Sequence, residues 1–179
     1  MNKWFINVLS SVKKRPGLVL LIVILSIITV NSIKPDFYLI GWDNYSSYFN
    51  LLTNLFRTLF ATWRDYRGLG VPSDAEVVDI FRQLFFLVLT SFVHQSLLDQ
   101  LYYLFILNLG VLGMYAFSSI VYKQLEKKIL INKQDLFATT AAFFYLFNLN
   151  TLAVFYFPMV MFVTRFAALP LTFLILQKF

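Results

Sequence analysis

Between Arg15 and Lys34 the chain runs through "PGLVLLIVILSIITVNSI" without one charged side chain. A helix that crosses a bilayer needs about 20 mainly apolar residues, with a range of roughly 17–25. In hydrocarbon every backbone N–H and C=O must also find its partner within the protein, which restricts such a run to a helix or a closed barrel. The run is just long enough for a helix. Pro16 is acceptable at its start, where the missing N–H would have no intrahelical partner anyway. Lys3, Lys13, Lys14 and Arg15 precede it, and a basic flank marks the cytoplasmic side. A cleaved leader is the alternative, since "VNS" ending at Ser32 places small residues suitably. The apolar run exceeds the about 7–15 residues of a leader's core, which favours an uncleaved helix.

The feature recurs. "QLFFLVLTSFVHQSLL" covers 83–98, with His94, Gln95 and Ser96 interrupting its far end, and Gln100 to Tyr122 is a full span. "KQLEKKILINK" follows, carrying Lys123, Lys127, Lys128 and Lys133 against Glu126 alone. If both runs crossed, these lysines would lie outside. The positive-inside rule therefore favours a juxtamembrane or re-entrant helix at about 80–98 and a true span at about 101–122. Two tight spans with a turn at Asp99 are the alternative. Leu136 to Thr164 carries no charge, and we read an outward span at about 136–156 followed by a turn holding "FYFPM". Arg165 opens a fourth apolar run at about 166–179, in which Pro170 makes a kink or marks a start near Leu169. The sequence given stops inside this run, so we expect it to be the N-terminal part of something longer.

Composition agrees. Hydrophobic residues make up 59% of the chain and charged residues 13%, against about a quarter charged in soluble domains. The absence of cysteine excludes disulfides and thiolate metal sites. The net charge of +6 sits in short clusters beside apolar runs, so no nucleic-acid partner is expected. The fold class expected is all-α, a polytopic transmembrane helical bundle with extracytoplasmic juxtamembrane amphipathic helices, N-terminus cytoplasmic.

Residues 34–99 differ from the rest. Asp36, Asp43, Asp65, Asp74, Glu76, Asp79 and Asp99 all lie here, and a cytoplasmic start makes the segment extracytoplasmic. Within "YSSYFNLLTNLFRTLFATW", Tyr45, Tyr48, Phe49, Leu52, Leu55, Phe56, Leu59, Phe60 and Trp63 recur at helical spacing. Ser46, Ser47, Asn50, Thr53, Asn54, Arg57 and Thr58 fall on the other face. A helix aromatic on one side and polar on the other belongs in the membrane interface. "RDYRGLGVPSDAE" follows as a loop, and Ser73 with Glu76 three positions on is a capping box for a new helix.

No phosphate-cradling glycine loop and no paired-histidine zinc motif is present. His94 is the only histidine and reads as a polar residue near the interface. Asp43, in "GWDNYSSYFN", is the sharper candidate. It suits a helix N-cap, which accounts for its place without chemistry, and a fixed carboxylate is also what a general base requires.

Taken in order, these segments resemble the N-terminal half of the GT-C membrane glycosyltransferases, and most closely the large arabinofuranosyltransferase and YfhO-like proteins. The resemblance rests on "GWDNYSSYFN" after the first span, "ATWRDYRGLGVPSD" in the loop, "LDQLYYLFILNLGVLGMYAF", "LFATTAAFFYLFNLNTLAVF" and "TRFAALPLTFLIL". It implies transfer of a sugar from a polyprenyl-phosphate donor, on the outer face, to a cell-envelope glycan, lipid or protein acceptor. Asp43 would be the catalytic base. Arg64 and Arg67 would bind the lipid phosphate, as guanidinium matches phosphate oxygens bidentately, although plain interfacial anchoring is the simpler role for both. Many such enzymes carry a second acid in the next external loop. Here "NLNTLAVFYFPMVMFVT" offers only Asn148, Asn150 and Tyr156, so no metal ligand set is identified. The alternatives are a membrane transporter or lipid-handling protein, and a non-catalytic assembly subunit.

Overall fold

Almost all of the described chain is helical, as long charge-free runs and the amphipathic period of residues 51–60 lead one to expect. The computed structural model describes residues 14–39, 50–60, 63–64, 71–72, 80–126, 130–157 and 160–177. Lys3, Lys13, residues 41–49 with Asp43, the loop with Arg67, the Ser73–Glu76 box, Lys127 and Pro158 lie outside them. The helices are α1 (Pro16–Ser32), α2 (Leu51–Phe60), α3 (Ile80–Leu89), α4 (Gln95–Leu125), α5 (Ile131–Phe147), α6 (Leu149–Tyr156) and α7 (Val160–Leu176). Two short strands, β1 (Trp63–Arg64) and β2 (Val71–Pro72), pair antiparallel. The all-α class is therefore observed.

Among the described residues one helix is long and apolar enough to cross a membrane by itself, Ser96–Leu125 within α4. Its 30 residues rise about 45 Å, more than the roughly 30 Å of a hydrocarbon core. The α5–α6 pair passes the same test only as one broken span, bent by 49°. α1 and α7 are apolar but shorter, and α3 has ten residues. The chain turns at 90–93, before His94. Asp99 is not in a turn: it lies inside α4 and is buried.

The chain divides into two units. One comprises the residues up to Ile33 and from Tyr102 onward, the other Lys34–Leu101, so α4 begins in the second and ends in the first. In the first unit α1 lies along α5. Leu21 and Leu25 of α1 share a buried cluster with Ala138, Ala142 and Leu146 of α5, with Leu107, Val111 and Tyr115 of α4, and with Phe166 of α7. The alanines at 138 and 142 let the helices approach closely, as small residues four apart do in membrane bundles. α4 runs opposite to α1, since Asn108 Nδ2 donates to Thr29 Oγ1 (3.1 Å) while Tyr115 lies at the other end of α1. α7 runs with α4: Tyr102 Oη and Thr164 Oγ1 are 2.7 Å apart, and the Phe117 and Phe173 rings 5.6 Å.

Asn148 makes the break between α5 and α6. Its backbone is extended, its Oδ1 accepts from Thr151 N (2.9 Å), and its Nδ2 donates to the carbonyl of Tyr145 (2.8 Å). One side chain thus caps the start of α6 and takes up a carbonyl left open at the end of α5.

The helix pair of the second unit exposes more apolar surface than a soluble helix pair does. α2 and α3 pack together, and the residues between them include polar ones. Thr58 and Gln83 are both 4% exposed, and Gln83 Nε2 donates to Thr58 Oγ1 (3.1 Å). Leu51 and Phe86 are buried with them, while many apolar residues point outward: Leu52, Phe56 (64% exposed), Leu59 and Phe60 on α2, and Phe81 (82% exposed), Phe85 and Val88 on α3. Asn50 Oδ1 accepts from Thr53 N (3.0 Å) and so caps α2.

Candidate functional site

Of the three site residues read from the sequence, Asp43 and Arg67 lie outside the described residues, and Arg64 is described in its backbone alone. Arg64 stands in β1 opposite Val71, as Trp63 stands opposite Pro72. The ladder thus brackets residues 65–70 in sequence.

The chain that leads toward Asp43 is held at its start. α1 ends at Ser32, Ile33 is extended, and Lys34–Phe37 form a turn closed by Phe37 N donating to Lys34 O (3.4 Å). Asp36 has φ 67°. Pro35 at the second position and a left-handed residue at the third form the type II pattern, and aspartate tolerates that conformation better than most side chains. Gln100, 3% exposed, clasps this turn. Its Oε1 accepts from Lys34 N (2.8 Å), and its Nε2 donates to Lys34 O (2.8 Å), Phe37 O (2.6 Å) and Ser96 O (3.2 Å). His94 Nδ1 lies 2.8 Å from Ser96 Oγ at the start of α4, so the lone histidine serves a helix terminus. Gln100→Leu keeps the bulk but leaves the turn's N–H and carbonyls without the amide, an expected loss of about 1–3 kcal/mol. Gln100→Glu is expected to be at least as damaging, because a carboxylate oxygen would then face three carbonyls. Faster amide exchange at residues 34–39 is the measurement that checks both.

The first unit holds the other polar constellation, which the sequence did not single out. Asp135, five residues into α5 and 3% exposed, reaches the N-terminus of α1. Its Oδ2 accepts from Gly17 N (2.6 Å), and its Oδ1 accepts from Leu18 N (3.2 Å) and Tyr115 Oη (2.7 Å). Arg15, the N-cap of α1, makes no side-chain cap bond. Pro16 has no N–H, Gly17 and Leu18 donate to Asp135, and Val19 N donates to Arg15 O (3.3 Å). Every N–H of the first turn is therefore accounted for, by an acid placed where the helix dipole favours one. Gly17 is required here, because a Cβ would run into Thr139 Oγ1 and stand 2.9 Å from Asp135 Oδ2. Gln134 Nε2 donates to Ser119 O (2.9 Å), tying α5 to α4 beside this cluster.

No group of three or more histidine, cysteine, aspartate or glutamate side chains is placed to hold a metal ion among the described residues. Comparison with protein-family models, with curated proteins and with solved structures finds no match for this chain.

Proposed function

We propose that this chain is a multi-pass membrane protein with a cytoplasmic N-terminus. On this reading the first unit crosses the bilayer as a helical bundle, and residues 34–99 are extracytoplasmic. The observation that carries the reading is the outward apolar surface of α2 and α3 over a buried Thr58–Gln83 contact. In water that arrangement exposes phenylalanines and buries amides. In a lipid interface it puts each group in its preferred medium. The first unit follows the same rule, with Leu20, Val23, Ile27 and Val30 forming an exposed apolar stripe on α1.

Within that frame the order of segments supports a GT-C-type glycosyltransferase. Asp43 would take the proton from an acceptor hydroxyl as the sugar leaves its polyprenyl phosphate, with Arg64 and Arg67 holding the phosphate. The transporter alternative draws on Asp135, an ionisable group buried in an apolar bundle, since such groups mark ion pathways. Both Asp135 oxygens are already engaged by α1 and Tyr115, which favours a structural role over transport. Asp43→Asn, introduced in the natively expressed protein, is expected to reduce sugar transfer from a polyprenyl-phosphate donor at least about a hundredfold. Membrane insertion and expression should be retained. Unchanged transfer would remove Asp43 from the mechanism, and loss of insertion would assign it a structural role instead.

A further inference from the structure

We infer that Tyr145 ties the helix break at Asn148 and the proline inside α7 into one coupled device. Pro170 is fully buried inside α7, which continues through it from Val160 to Leu176. Proline has no N–H to give to the carbonyl four residues back, and its ring pushes that carbonyl off the helix axis. The carbonyl is Phe166 O. Buried in the bundle, it must find another donor, and Tyr145 Oη donates to it at 2.7 Å. The tyrosine hydroxyl thus stands in for the missing N–H of Pro170.

The ring holds the hydroxyl in place. Tyr145 stacks on Phe166 with centroids 4.4 Å apart and planes 17° from parallel, and Phe155 of α6 meets Phe166 edge-on at 5.1 Å. The backbone of Tyr145 serves the other break. Its carbonyl lies in the last turn of α5 and accepts from Asn148 Nδ2 (2.8 Å) and Thr151 Oγ1 (2.8 Å). The side chain of one residue completes α7 at its proline, and its carbonyl closes the corner between α5 and α6. One residue thus serves both points, so a shift of Tyr145 at the α5–α6 corner carries its hydroxyl away from Phe166 O.

The coupling is tested by a double-mutant cycle on the full chain, read by thermal melting in detergent micelles and by amide exchange over α7. Tyr145→Phe alone removes the hydroxyl and is expected to lower the melting midpoint and to speed exchange in α7. Pro170→Ala restores an N–H to Phe166 O, so adding Tyr145→Phe to it is expected to have little further effect on either readout. An equal loss from Tyr145→Phe in both backgrounds would overturn the proposal. Pro170→Leu also supplies the N–H and gives the same comparison should the alanine variant fold poorly. Faster exchange at 149–156 in Tyr145→Phe is the further result required by the link to Asn148, and unchanged exchange there would overturn that link.

Discussion

Asp135→Ala is expected to lower stability by about 3 kcal/mol, because it leaves one buried and two half-buried donors without an acceptor at once. Gly17 N–H and Leu18 N–H lose the carboxylate, and so does the Tyr115 hydroxyl. For a chain of this length the loss corresponds to roughly 6–12 °C in Tm, measurable by thermal melting in detergent. Asp135→Asn tests the charge and the geometry together. Whichever way the amide faces, its NH2 group opposes a donor, Gly17 N–H on one side or Leu18 N–H and Tyr115 Oη on the other. The variant is therefore expected to be damaged, though less than the alanine, since one acceptor remains. Tyr115→Phe removes a single hydroxyl and is expected to cost about 1 kcal/mol. If Asp135→Asn and Tyr115→Phe melted with the unsubstituted protein and only Asp135→Ala fell, the acid would contribute bulk alone and the capping argument would fail.

The Asp135 case also shows where a sequence can and cannot be read. Charge-free runs and a 3.6-residue period announce helices, and Pro16 marks where α1 begins, because those signals are local. The outward-facing phenylalanines of α2 were likewise legible, since the period separates Leu52, Phe56, Leu59 and Phe60 from Asn54, Arg57 and Thr58. Asp135 looks like one more acid at the end of a lysine-rich turn, because its partner Gly17 is 118 positions away. Gln100 is concealed in the same way, with its clasp on Lys34 spanning 66 positions. The break at Asn148 falls inside the single span read at about 136–156, where Asn148 and Asn150 are the only local sign of it. It depends on how one amide divides its bonds between two helix ends, which spacing does not encode. Of the candidate site, the sequence supplied the residue types, while the structure adds only the backbone position of Arg64 and the turn that launches the segment bearing Asp43.

Gly110 is the second position where a small change is expected to have a large effect, and it isolates packing from polar chemistry. A Cβ there would fall on the Phe166 ring, against Cδ1 and Cε1, with the Phe166 carbonyl 3.2 Å away. The ring has nowhere to go, since Tyr145 stacks on it and Phe155 meets it edge-on. α4 and α7 must separate instead. Overpacking of this kind costs about 1–3 kcal/mol, and Gly110→Leu is expected at or beyond the top of that range. Gly113, one turn further along α4, is the internal control. A Cβ there meets Leu171 Cδ2 and Pro170 Cγ at 3.4 Å each, so Gly113→Ala is expected to be neutral, or to gain up to about 1 kcal/mol from helix propensity. Combining Gly110→Ala with Phe166→Leu makes room for the methyl group, and the pair is expected to be less damaging than the sum of its parts. Melting midpoints for these five variants decide the matter. Additive losses from Gly110→Ala and Phe166→Leu would show that the ring does not set the spacing of α4 and α7, and Phe166 would then be one apolar side chain among several in the core.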